Sequence, residues 1–213
     1  ARTTVSDKYH GNAADQGGSL YKTNTRAFSY TLNELLTYRR NFGEHSIDLL
    51  AGHEYYRYNY NYAMAGKSGI VDGIDELGSA VTTIANTSYS NDYAIESVLA
   101  RLNYGYADRY YFDASWRTDG SSRFHKAPRW GNFWSVGASW RISQEAFMET
   151  ASSWLSNLTV RASYGVQGND NLGSYYAWQG RFNYGWSNGT RPGAMAGSIE
   201  NRLVTWEKNG NLN

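Results

Sequence analysis

Between Ser97 and Gln167, four runs of about ten residues alternate position by position between apolar and polar or small side chains. Successive side chains of a strand point to opposite faces, whereas helical apolar positions recur every three to four residues; a period of two therefore predicts strands with one apolar face. In Arg109–Thr118, Tyr110, Phe112, Ala114 and Trp116 share a face, opposite Arg109, Tyr111, Asp113, Ser115 and Arg117. Phe133–Ile142 repeats the pattern with Trp134, Val136, Ala138, Trp140 and Ile142, and Leu158–Gln167 with Leu158, Val160, Ala162, Tyr164 and Val166. Ser97–Tyr106 sets Val98, Ala100, Leu102, Tyr104 and Tyr106 against Ser97, Arg101, Asn103 and Gly105, with Leu99 out of pattern.

Composition agrees with strands: 19 Tyr, 8 Trp and 22 Gly stand beside only 2 Pro in 213 residues. A net charge of +1, with Lys and Arg scattered along the strands, leaves no basic footprint for nucleic acid. The lack of cysteine excludes a disulfide scaffold and a thiolate metal site. No run approaches the roughly 20 apolar residues of a membrane-spanning helix, a test that does not bear on membrane barrels. The N-terminal stretch lacks the apolar core of a signal peptide, and Val204–Asn213 reads as a turn followed by the start of a strand, as in a segment of something larger.

Turn signals give long and short connections in alternation. Residues 28–38 carry a first apolar face, Phe28, Tyr30, Leu32, Leu36 and Tyr38, broken by Glu34; after the tight Asn41-Phe42-Gly43-Glu44, a return strand runs from His45 to about Tyr62. Residues 63–91 are predicted to be a long connection, and a strand from about Asp92 turns at Ala107-Asp108. Asp119–Asn132 and Gly168–Asn201 are further long connections, the latter with a strand near Tyr175–Tyr184 and turns at Asn188-Gly189 and Arg191-Pro192-Gly193; Ser143 is predicted to cap a short helix. With the long loops at one end, Trp116, Trp134 and Tyr164 fall near that end and Tyr104, Tyr106, Tyr110 and Trp140 near the other, with aliphatic residues between. Two aromatic belts flanking an aliphatic band are the pattern of a lipid-facing surface, and strands of about ten residues match a tilted membrane crossing. A soluble antiparallel sandwich shows the same alternation, but not the belts or the one-sided loops.

The residues that follow this pattern resemble a family. Leu99-Ala-Arg-Leu-Asn-Tyr-Gly-Tyr-Ala-Asp-Arg-Tyr-Tyr, Asp119-Gly-Ser-Ser-Arg-Phe, Arg129-Trp-Gly, Trp140-Arg-Ile-Ser, Trp154-Leu-Ser-Asn-Leu, Arg161-Ala-Ser-Tyr-Gly-Val and Trp206-Glu-Lys are similar, in order and spacing, to the barrel of SusC/RagA-like TonB-dependent outer-membrane transporters. Ala51-Gly-His-Glu extends the likeness upstream. The resemblance implies an all-β, antiparallel transmembrane β-barrel segment of about seven or eight strands, with residues 1–213 part of one barrel domain whose plug, TonB box and other strands lie elsewhere. It also implies import of glycans or oligopeptides across a bacterial outer membrane, a SusD-like surface lipoprotein as partner, coupling to TonB, and neither enzymatic activity nor cofactor. The competing reading is a soluble all-β carbohydrate-binding module; an envelope glycan hydrolase is disfavoured, because no carboxylate pair falls on neighbouring strands.

Candidate site residues divide by face. Arg101, Asn103, Asp113, Arg117, Arg141, Arg161 and Gln167 are expected on the lumen or plug side, opposite the lipid-facing belts. Trp130, Tyr175, Tyr176, Trp178 and Gln179 in the long loops are candidates for substrate, since rings stack on sugar faces and amides bond hydroxyls. Asp119–Phe124 reads chiefly as a turn stabiliser. His10, His45, His53 and His125 fall on separate elements, and Asp72, Asp75 and Glu76 lack the spaced donor pattern of a calcium loop, so no metal or catalytic group is assigned.

Overall fold

The computed structural model of the protein describes residues 1–151 and 153–213. Its strands are β1 (Arg2–Ser6), β2 (Ser19–Phe42), β3 (His45–Ser68), β4 (Thr82–Tyr106), β5 (Tyr110–Ser121), β6 (Trp130–Arg141), β7 (Thr159–Asn169), β8 (Arg181–Asn188), β9 (Arg191–Ser198) and β10 (Glu207–Leu212). Short 3-10 turns occupy Ala14–Gln16, Leu77–Ser79, Ile142–Gln144 and Ala146–Ala151. One sheet has the order β1-β2-β3-β4-β5-β6-β7-β10, and β8 with β9 forms a separate hairpin. From β1 to β7 sequence neighbours are sheet neighbours, and β10 joins antiparallel to β7, the up-and-down order of a barrel wall. The chain is thus all-β, and its eight-stranded sheet matches the seven or eight strands that the resemblance implies, with the β8–β9 hairpin in addition.

Two tight turns set the register. Gly43, at φ 59°, closes β2 to β3, and Ala107 (φ 51°) with Asp108 (φ 55°) closes β4 to β5 with both central residues left-handed, the geometry whose twist matches paired strands. β3 and β4 run further than the sequence suggests, so their connection shrinks to residues 69–81, and that between β5 and β6 to 122–129. The added residues, 63–68 in β3 and 82–91 in β4, carry mostly small, hydroxyl and amide side chains on both faces, which hides the apolar period while leaving every backbone group able to pair. The strand expected near Tyr175–Tyr184 lies instead at β8, with β9 returning through Asn188-Gly189. Ser143 sits inside the Ile142–Gln144 turn and makes no cap; its buried Oγ has no partner among the described residues.

The chain forms two compact units, residues 1–30 with 57–92 and residues 31–56 with 93–213. In the first, Leu20 is buried and the backbones of Gln16–Gly18 and Gly69–Ile70 are hydrogen-bonded; a Cβ on Gly17 would stand 3.3 Å from Gly69 Cα. In the second, Phe124, Phe133 and Trp206 form a small core against Ile95 and Val204. Most large apolar side chains are outside both cores: Leu36 is 73% exposed, Val160 55% and Trp116 44%. An apolar face this bare needs a covering medium.

Candidate functional site

Register sorts β4 to β7 into two faces. Tyr106, Tyr110, Trp140 and Val160 form one cross-strand row; Tyr104, Phe112, Ala138 and Ala162 the next; then Leu102, Ala114, Val136 and Tyr164; then Ala100, Trp116, Trp134 and Val166. All seven expected belt residues therefore share one face. The lower row is a girdle wider than the sequence suggests: ring centroids lie 5.1 Å apart for Phe42 and His45, 4.9 Å for His45 and Tyr106, 6.4 Å for Tyr106 and Tyr110, and 6.3 Å for Tyr110 and Trp140. Glu145, in the connection below it, accepts hydrogen bonds from the Tyr110 hydroxyl (2.7 Å) and the Trp140 indole (2.9 Å). These donors, with Arg109 nearby, hold the Glu145 carboxyl below the usual carboxylate range.

The opposite face is polar. Its rows are Arg101, Ser115, Ser135 and Gly165, then Asn103, Asp113, Gly137 and Ser163, then Gly105, Tyr111, Ser139 and Arg161. The members of these rows on β5, β6 and β7 line two shallow concavities of about 540 Å³ each. Arg141 borders the first and Arg117 and Gln167 the second. Arg117 donates to Asp119 (2.5 Å), Glu54 (3.1 Å) and Ser97 (2.8 Å), which ties β3, β4 and β5 on this side. Glycine at 137 leaves room for the Asp113 carboxylate, which a Cβ there would meet at 2.5 Å. All seven expected lumen residues lie on this face, and Leu99 does so beside Gly52 and Leu35, forming a small apolar patch.

The Asp119–Phe124 segment latches the loop end. Ser121 and Phe124 are fully buried, and the Ser121 and Tyr93 hydroxyls both donate to Asp170 (2.7 and 2.8 Å). Arg123 lies over the adjacent rings of Tyr93 (4.9 Å) and Tyr175 (5.0 Å) and donates to the Asp170 carbonyl and Asn171. The candidate substrate residues separate accordingly. Tyr175, Tyr176, Trp178 and Gln179 cluster in one turn, with Trp178 edge-on to His125 and its buried indole N–H without a partner among the described residues. Trp130 does not join them. It is the first residue of β6, opposite Gly120 and, by strand alternation, on the face of Trp134; a Cβ at 120 would meet its indole at 2.9 Å.

Three ionisable side chains meet on the apolar face: His53 faces Glu34 with Nδ1 (3.4 Å) and Glu96 with Nε2 (3.1 Å). This accounts for Glu34 in the apolar row, and counting back from the Phe42/His45 turn sets Glu34 opposite His53. The other expected acidic cluster is dispersed, with Asp72 bound to Lys8 (2.7 Å) and Tyr9 (3.0 Å) and Glu76 to Lys22 (2.5 Å). The Lys8 ammonium lowers the Asp72 pKa. No group of metal-ligating side chains occurs among the described residues.

Comparison with known proteins connects these two faces to a family. No protein-family profile matches the chain. TonB-dependent receptor P3 of Formosa agariphila is 33% identical over 156 residues, 72% of this chain and 15% of that protein; TonB-dependent receptor SusC of Bacteroides thetaiotaomicron is 30% identical over 151 residues, 71% and 15%. The RagAB peptide transporter structure superposes with a TM-score of 0.84 at 28% identity, covering 91% of this chain and 22% of the other. This chain belongs to the SusC/RagA-like TonB-dependent receptors. It spans about 15% of the length of the curated relatives. Seen as a receptor of this type, its two faces are those of a barrel wall, and the Asp119–Phe124 latch fixes the loop end of that wall.

Proposed function

We propose that the chain is a stretch of barrel wall in a TonB-dependent transporter of a bacterial outer membrane, importing glycans or oligopeptides with a SusD-like lipoprotein and without enzymatic chemistry. The observation that carries this reading is the register-aligned apolar face, bounded by an aromatic girdle and exposed along its length. From Tyr110 to Gly120, opposite Trp130, the strand covers ~33 Å, or ~25 Å of height at a barrel tilt near 40°, the thickness of a lipid-facing band. On this reading the Arg- and Asn-bearing face turns to the lumen, where Arg101, Arg141 and Arg161 meet plug or substrate, and the Tyr175–Gln179 turn contributes rings and an amide at the extracellular end. The peptide cargo of the RagAB relative favours oligopeptides as one substrate class. Histidine bridging Glu34 and Glu96 offsets the cost of carboxylates on a lipid-facing surface.

These 213 residues hold no cysteine, so in a receptor whose remaining cysteines are replaced by serine, single cysteines report each face cleanly. In the full-length receptor in native membranes, Val136→Cys should resist a water-soluble maleimide and react with a lipid-soluble one, and Asn103→Cys should do the reverse. Equal aqueous labelling of both would overturn the assignment. Loss of growth on oligopeptide or glycan, on deleting the receptor or its lipoprotein partner, identifies the cargo.

A further inference from the structure

β2, β3 and β4 are 24, 24 and 25 residues long, whereas a tilted membrane crossing takes about 9–11. More than half of each strand therefore stands outside the hydrocarbon. In the unit of residues 1–30 and 57–92 the two strand faces differ sharply. Tyr58, Tyr60, Tyr62 and Tyr89 cluster on one, with centroids 5.0 to 6.4 Å apart. The other carries an amide and hydroxyl ladder, in which Ser90 donates to Asn61 (2.7 Å), Asn61 to Asn59 (2.5 Å) and Asn59 to Asp92 (2.9 Å).

Asn24, Arg26, Asn61, Ala63, Ser88 and Ser90 of that second face line a concavity of about 530 Å³, together with Tyr62 and Tyr89. Lys22 is paired with Glu76 and Arg57 approaches Asp92 at 3.8 Å, but Arg26 is exposed and makes no ion pair among the described residues. No carboxylate is among the lining residues. Further along the same face of β2 follow Phe28 and Tyr30, an exposed ring pair 6.0 Å apart. In order along one strand face, this gives amides and hydroxyls, an unpaired guanidinium, then aromatic rings.

We infer that this face binds the phosphorylated sugar headgroup of an outer-leaflet glycolipid, with Arg26 on a phosphate, Asn24, Asn61, Ser88 and Ser90 on sugar hydroxyls, and Phe28 and Tyr30 at the top of the acyl chains. Charge complementarity selects this occupant over a neutral lipid, and the aromatic pair selects it over free phosphate. The inference rests on the membrane reading above, which places the long connections, and with them Arg26, outside the cell.

The test uses the full-length receptor in detergent, titrated with diphosphoryl lipid A, phosphatidylglycerol or inorganic phosphate while native mass spectrometry counts bound lipid. Lipid A is expected to bind tightest, with Arg26→Gln weakening it about fivefold, in line with one cation near an anionic surface, and Lys126→Gln leaving it unchanged. Unchanged lipid A binding in Arg26→Gln, or equal retention of phosphatidylglycerol, would overturn the inference. So would binding of inorganic phosphate as tight as that of lipid A. A receptor that partitions into the aqueous phase without detergent would instead count against the membrane reading itself.

Discussion

Glu145 shows how one residue outside the strands holds an element at its edge. Its carboxylate receives the Tyr110 hydroxyl and the Trp140 indole, fixing the girdle rings from below. Because these bonds favour the charged form, the folded protein binds fewer protons at this site than the unfolded chain does. The stability this gives is present above the ordinary glutamate pKa and is lost as pH falls through the lowered one. Thermal unfolding of the full-length receptor should thus lose stability across that acidic window, with Glu145→Gln less stable than wild type at neutral pH and flatter across the window. Phe124 illustrates the opposite case, a side chain whose role comes from burial: it is wholly enclosed by Phe133 and Trp206, and its deletion would leave a cavity under the latch.

At the scale of the element, the turns decide register, and register decides which side every residue faces. The β4–β5 turn places Ala107 and Asp108 at positive φ, a conformation that costs residues with a Cβ about 1–2 kcal/mol. Replacing the pair by Asn-Gly, which favours it, is expected to stabilise the hairpin by roughly 1 kcal/mol, raising the midpoint of thermal unfolding in detergent. A lower midpoint would show that the turn is held by its neighbours, such as the Ala107 N–H to Glu44 carbonyl bond, and not by its own preference. The sequence marked this turn and that at Gly43 because both are short and polar between alternating runs. It left residues 63–68 of β3 and 82–91 of β4 as loop, since their small, hydroxyl and amide side chains show no apolar period although the strands continue.

For the whole molecule the decisive question is what covers the apolar face. An Arg introduced among the aliphatic residues at Val136 is expected to destabilise the membrane-inserted receptor by about 2–4 kcal/mol, whereas Asn103→Arg, opposite Asp113 on the polar face, should cost little. Reversible denaturation in lipid vesicles measures both. Equal costs would mean that the two faces do not differ in solvent.

By itself, the sequence determined that the chain is made of antiparallel strands with one apolar face, which residues belong to that face between Ser97 and Gln167, and the family, because alternation and short motifs are local properties. Only the tertiary structure decided which strands run on beyond the apolar band, that Trp130 lies with Trp134 and apart from the Tyr175 turn, and that Asp119–Phe124 serves as a latch. It likewise paired His53 with Glu34 and Glu96. These outcomes depend on the register between strands and on contacts between residues tens of positions apart, and a period of two carries no record of either.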